Sequence, residues 1–284
     1  MAYTYKVAPG AAVHLGDVNP GETHGVTREQ ADSLLQTLGA DLTALQEMQY
    51  AAAQNGILIV LQGLDTAGKD GTISHVMARF NPAGCRVETF KVPTPDELAH
   101  DFLWRAHRVT PPKGSIALFN RSYYEDVLVV RVHELVPPHV WKGRYTHINN
   151  FEALLVDSGT LVFKFLLYIS RDEQRRRLRA REEDRDKAWK LSPADWLEHD
   201  LYDRYITAYE DALTRCSTAH APWHIVPANH KWFRNVAIAQ TLVDALQPYR
   251  ARWHEELEQR GRENLAAIAA AHAAAPRAAS RDKV

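Results

Sequence analysis

The apolar and polar positions of this chain fall into two periods that alternate along its length. Five segments read as strands: Ile57 to Gln62, Arg86 to Phe90, Ser115 to Phe119, Leu161 to Ile169 and Trp223 to Val226. The pattern around them is helical. Leu34, Leu35, Leu38, Leu42, Leu45 and Met48 form the stripe of a helix that opens at Thr27-Arg28-Glu29-Gln30 and runs to Gln54. Gly71 to Phe80 carries apolar residues at helical spacing, a further helix runs from Lys231-Trp232 to about Gln247, and Pro248 breaks it before another run from Arg250. This βαβ alternation predicts an α/β fold whose parallel sheet of five strands is covered on both faces. Ligands of such sheets sit at the carboxyl ends of the strands. Three of those ends are polar: Gln62 and the loop after it, Asn120-Arg121-Ser122, and Ser170-Arg171-Asp172.

The pattern divides the chain into an extended Gly- and Pro-rich arm (1–28), a domain over 29–247, and a C-terminal helix and flexible tail (248–284). A helical arm docking on a partner subunit is the sharper reading of that tail. With 284 residues, 45% hydrophobic and 24% charged, the chain suits one large globular α/β domain and not global disorder. A net charge of −1 argues against coating nucleic acid, so no nucleic acid partner is expected. Cys85 and Cys216 have neither metal-ligand spacing nor a disulfide framework, which fits a cytoplasmic protein. The N-terminus has no apolar stretch suited to a signal peptide, and no run reaches the length of a membrane span. The 14 histidines show no paired spacing for zinc.

The chemistry is concentrated after the first strand. Gly63-Leu64-Asp65-Thr66-Ala67-Gly68-Lys69-Asp70-Gly71 has the Gly-x-x-x-x-Gly-Lys order of a phosphate-binding loop, in which backbone N–H groups wrap phosphates and a lysine adds charge. Gly63, Ala67, Gly68, Lys69, Asp70 and Gly71 are the expected phosphate contacts. Where Ser or Thr usually offers a hydroxyl to magnesium, this loop has Asp70. Two acids, Asp65 and Asp70, would repel bare phosphate, so the loop makes physical sense only with a divalent cation.

Two further clusters could serve phosphoryl transfer, which needs cations around the moving group and a fixed line from donor to acceptor. In Phe119-Asn120-Arg121-Ser122-Tyr123-Tyr124-Glu125-Asp126 the strand ends on an amide, Asn120, where a carboxylate would be expected. Arg121 can neutralise the moving phosphoryl, and Glu125 and Asp126 can restore the missing carboxylate. Arg171 to Lys190 holds nine Lys or Arg, at 171, 175, 176, 177, 179, 181, 185, 187 and 190, and its place after the fourth strand suits a lid over the phosphates, spanning about 171–200. Residues one apart point to different sides, so some of these arginines must be plain surface. Trp189, Trp196, Tyr202, Tyr205 and Tyr209 read as packing residues.

These segments resemble the polyphosphate kinase 2 family, P-loop enzymes that move phosphate between inorganic polyphosphate and nucleotides. The likeness is carried by Leu61 to Ile73, Phe119 to Asp126, Ile148-Asn149-Asn150-Phe151-Glu152, Lys164-Phe165, Ala188 to Pro193, Ala221-Pro222-Trp223 and Val226 to Trp232, and so runs through roughly residues 30 to 247. It implies a three-layer α/β/α P-loop kinase fold with a helical lid, magnesium (with manganese as a substitute), and a basic channel for polyphosphate. A homo-oligomer, dimer or tetramer, is also implied. Adenine nucleotides are the implied acceptors, with guanine nucleotides as a second option. The family's functional positions fall here on Asp65, Lys69 and Arg121, and on Arg175, Arg176 and Arg179 in the lid. Asn120 followed by Glu125-Asp126 looks like the branch that phosphorylates nucleoside mono- as well as diphosphates. The resulting expectation is a reversible transfer from polyphosphate to AMP or ADP in which Asp65 and Asp126 hold the metal and Arg121 stabilises the transition state. An ATP-dependent kinase of the same fold is the alternative. No Asn-Lys-x-Asp guanine motif supports a regulatory GTPase.

Overall fold

The computed structural model describes residues 2–184 and 193–274. Six strands form one mixed sheet: β1 (Tyr5–Lys6), β2 (Gly56–Gln62), β3 (Cys85–Thr89), β4 (Ile116–Asn120), β5 (Thr160–Tyr168) and β6 (Trp223–Pro227), in the order β1-β6-β5-β2-β4-β3. The five expected strands lie within a residue of their expected ends and pair in parallel. The sixth is a correction. Tyr5 and Lys6, in the arm, pair antiparallel with Ile225 and His224 on the open side of β6. Two residues without an apolar run give no strand signal, yet they cap an edge that would otherwise present free N–H and C=O groups.

The pleat sorts side chains into two cores. Leu58, Val60, Ala117, Phe119, Val162 and Leu166 face one side, where α6 (Pro138–Asp157) and α9 (Tyr202–Cys216) cover them. Ile57, Ile59, Leu61, Leu118, Phe165 and Leu167 face the other, under α1 (Arg28–Ala52), α2 (Lys69–Met77) and α10 (Lys231–Leu246). The three layers are therefore the expected α/β/α sandwich. Helix α1 begins at a capping box, Thr27 with Gln30, and its Leu35, Leu38, Leu42 and Leu45 are buried. After a 3-10 turn at Gln247–Tyr249, α11 (Arg250–Ala274) packs on α1. Short helices α3 (Pro95–Leu98), α4 (Trp104–His107) and α5 (Val129–Val132) sit in the connections, and α7 (Arg171–Glu183) and α8 (Pro193–Asp200) follow β5. No described helix is long and apolar enough to cross a membrane.

The arm does more than pair β6. Leu15 is fully buried and its N–H donates to Glu210, and the Val7 carbonyl accepts from Ser217 Oγ at 2.7 Å. Arg185, Lys187, Lys190 and the Ala188-to-Ser192 part of the family likeness, Trp189 included, fall outside the described residues, as do the last ten positions of the tail.

Candidate active site

Strand β2 is central, with β4 on one side and β5 on the other. The chain runs from β2 to the far edge at β3 and returns to β4 before crossing to β5, so the strand order reverses at the carboxyl end of β2. That end is where the loop from Gly63 to Gly68 leaves for α2. Gly68, with φ +101°, is the residue before the helix, and a Cβ there would meet the tip of the Arg234 side chain. The left-handed conformation is what favours glycine at this position.

Lys69 folds back into the loop. Its buried Nζ donates to the carbonyls of Gly63 at 2.7 Å and Leu64 at 3.2 Å. Burial pulls its pKa down while Asp65 pulls it up. Register places Leu61 of β2 opposite Asn120 of β4, and the two strand ends converge. Asn120 Nδ2 donates to Asp70 Oδ1 at 2.8 Å. Arg121, held at φ +61°, bridges the two segments: Nη2 reaches Asp65 Oδ1 at 2.8 Å and Nη1 reaches Glu125 Oε2 at 3.4 Å. A non-glycine residue in that conformation costs roughly 1–2 kcal/mol, which the neighbouring contacts must offset. Ser122 Oγ accepts from Gln62 Nε2 and from the Tyr124 N–H, locking the 3-10 turn Tyr123–Asp126 against β2. Burial raises the Glu125 pKa, with Arg121 and Lys69 opposing. Tyr209 of α9 is buried beside this group, and burial and then Glu125 push its hydroxyl up.

The expected residues of the loop and of the Asn120–Glu125 segment are thus brought together in one cluster, while Asp126 and the expected lid arginines are not. Asp126 faces Arg105 at 3.3 Å and Arg144 at 3.2 Å rather than the loop. On a 3-10 turn adjacent residues diverge, and it is Glu125 that shares Arg121 with Asp65. The lid arginines also divide. Arg175 and Arg179 are exposed, Arg175 beside Asp172 at 3.9 Å, and Arg176 pairs with Glu173. Arg177 is the arginine of α7 that reaches the loop: its guanidinium donates to the carbonyls of Thr66, Ala67, Ala228 and Asn229 and to Glu173. Arg234 and Gln174 also contact the loop backbone, at Ala67 and Asp65. Sequence reasoning passed over these residues. The available signal was the helical spacing of 173, 174, 177 and 178, which are the buried positions of α7.

Two carboxylates within reach of one guanidinium form a hard-oxygen donor set. Magnesium is typically held by one or two carboxylates and completed by substrate phosphates, and Asp65 with Glu125 fits that description. Among the described residues no cluster of three or more His, Cys, Asp or Glu could enclose a metal by itself.

Comparison with known proteins gives this geometry its relatives. The family described as Polyphosphate kinase 2 (PPK2) matches residues 25–253. An AMP/ADP-polyphosphate phosphotransferase of Meiothermus ruber is 46% identical over 86% of this chain and 92% of its own length. An ADP-polyphosphate phosphotransferase of Rhodopseudomonas palustris is 39% identical over 92% and 95%. The crystal structure of polyphosphate kinase 2 from Arthrobacter aurescens TC1 superposes with a TM-score of 0.82 at 40% identity, covering 87% of this chain and 92% of that one. The match takes in the loop, the Arg121 turn and the whole sheet but for the β1 edge, and the chain belongs to the polyphosphate kinase 2 family.

Proposed function

We propose that this protein transfers the terminal phosphoryl group of inorganic polyphosphate to AMP or ADP, reversibly and with Mg2+ (Mn2+ as a substitute). The observation that carries the reading is the Arg121 bridge between Asp65 of the loop and Glu125 of the turn, which gathers cations and carboxylates at the switch point of the sheet. The Meiothermus ruber relative, named for both acceptors, supports AMP and ADP together.

An oxygen of the acceptor's phosphate attacks the terminal phosphorus, the bond to the penultimate unit breaks, and the polymer leaves one unit shorter. The acceptor oxygen is already largely anionic near neutral pH, so no general base is required. The work is positioning and charge. Lys69 Nζ exchanges the carbonyls of Gly63 and Leu64 for phosphate oxygens, and the N–H groups at the start of α2 bind the same phosphates. Arg121 turns from its two carboxylates to the equatorial oxygens of the moving group, where charge spreads in the transition state. Asp65 and Glu125 would hold Mg2+, which supplies charge neutralisation when bound. Asn120 keeps Asp70 turned toward β4, which lessens its repulsion of phosphate.

The test is formation of ADP from AMP, and of ATP from ADP, with polyphosphate as sole donor, with Mg2+ present and chelated. Product with magnesium alone is expected. No product with either acceptor, or turnover with ATP but not polyphosphate as donor, would overturn the proposal.

A further inference from the structure

The loop is gripped from behind by two arginines that lie outside the expected lid set. Arg177 comes from α7 and Arg234 from α10; they are 5% and 2% exposed, and both donate to the carbonyl of Ala67, at 3.0 and 3.3 Å. Arg177 also holds the carbonyl of Thr66 at 2.9 Å and reaches across to those of Ala228 and Asn229 after β6. A peptide unit is planar, so its C=O and N–H point in opposite directions. The N–H of the Thr66–Ala67 peptide is used internally, by the Leu64 carbonyl at 3.1 Å. The N–H of the Ala67–Gly68 peptide has no acceptor among the described residues, and Gly68 is the residue that caps α2.

We propose that Arg177 and Arg234 are positioning residues that clamp the Ala67 carbonyl and thereby aim the Gly68 N–H, polarised by two cations, at the phosphates. This rests on the reading that the loop binds phosphate. It accounts for the packing at Gly68, where the Arg234 guanidinium fills the space a Cβ would take. It also explains a burial that is otherwise unfavourable. Arg234 has Asn235 as its only side-chain hydrogen-bond partner and no carboxylate within ion-pair distance among the described residues. Burial and the neighbouring Arg177 pull its pKa down to about 10. A cation held at such a disadvantage is retained for what it does to the loop and not for stability.

The clamp separates two quantities that a purely structural role would keep together. In Arg234→Met the melting temperature should stay level or rise, because an uncompensated buried charge is removed. At the same time kcat/KM for polyphosphate should fall between about tenfold and 100-fold, as expected for a misaimed donor. Hydrogen exchange of the 63–70 amides should accelerate while that of β2 does not. Arg234→Lys, which keeps the charge but not the planar fork, should fall between the two proteins in both activity and exchange. Exchange and kcat/KM within twofold of the wild type in Arg234→Met would overturn the clamp. So would a loss of activity matched by a fall in melting temperature, together with full activity in Arg234→Lys. A wild-type protein that turns over no polyphosphate would count against the proposed function instead, and the exchange measurement would still decide the clamp.

Discussion

Lys164 sits in the middle of β5 with no exposed surface, an ammonium in the core facing α6 and α9. Its Nζ donates to Glu152 Oε2 at 2.6 Å, to the Cys216 carbonyl at 2.6 Å and to the Tyr124 hydroxyl at 3.0 Å, while Glu152 Oε1 accepts from both Tyr123 and Tyr124 at 2.9 Å. The two tyrosines belong to the turn that carries Glu125, so this network is the floor of the active site. Lys164→Met would keep the volume and remove the charge, leaving the Glu152 carboxylate buried with only two hydroxyls. Breaking a fully buried pair in this way costs about 3–5 kcal/mol. At about 2.1 cal/mol/K per residue, 284 residues give an unfolding entropy of about 0.6 kcal/mol/K, so the melting temperature should drop by about 5–8 °C. Calorimetry on Lys164→Met, Glu152→Gln and the double variant closes a cycle. The double variant should recover more than half of the loss, because Gln still accepts from the tyrosines and no charge is stranded. A single-variant loss below about 1 kcal/mol, or a double variant whose loss is the sum of the singles, would refute the claim that Lys164 and Glu152 act as a unit.

Other substitutions distinguish the site's parts. Lys69→Ala should reduce kcat/KM by about 3 kcal/mol, roughly 150-fold, with little change in melting temperature; turnover within threefold of the wild type would remove the ammonium from the mechanism. Glu125→Gln should lower kcat by about 100-fold or more and raise the Mg2+ concentration needed for half activity, whereas Asp126→Asn should mainly lower stability, by about 3 kcal/mol, since it removes the carboxylate that Arg105 and Arg144 share. The reverse pattern would return the metal to Asp126. Burial raises the Glu125 carboxyl above its ordinary 4.5, so the acid limb of kcat/KM should lie above that value and vanish from the residual activity of Glu125→Gln. The same shift has a stability sign: protonation favours the folded state, so the contribution of Glu125 is present below the unfolded value and lost as pH rises through the folded one. Glu125→Gln should therefore unfold no more easily than the wild type at neutral pH, and a marked loss there would contradict the assigned environment.

Much of this architecture could be read from periodicity, because a parallel sheet buried on both faces writes its strands as apolar runs. Ile57 to Leu61 and Leu161 to Ile169 are of that kind. The loop was legible because its glycines and lysine are adjacent in sequence. What escaped is set by tertiary contact. Tyr5 and Lys6 become a strand only because β6 has an open edge, a fact about strand order. Asp126 and Glu125 are chemically near-identical neighbours, and the 3-10 turn decides which of them meets Arg121. Among the arginines of α7, spacing identifies position 177 as inward-facing once Gln174 and Leu178 mark the buried stripe, but not its bonds to Thr66 and Ala67. Arg234 lies more than 160 residues from the loop it touches.

The Arg121 bridge has a consequence for how the enzyme meets its ligands. Its guanidinium is already matched by Asp65 and Glu125, so on the proposed reading a polyanion that took Arg121 would deprive two carboxylates of their ion-pair partner, and a divalent cation that took the carboxylates would deprive the arginine of its own. Each ligand therefore relieves the deficit the other creates, and by reciprocity each raises the other's affinity by the same factor. On that reading polyphosphate or metal alone would be a poor occupant of the site and the two together a good one. Selectivity against other phosphate compounds would then arise from that arrangement before any feature of a nucleotide is read.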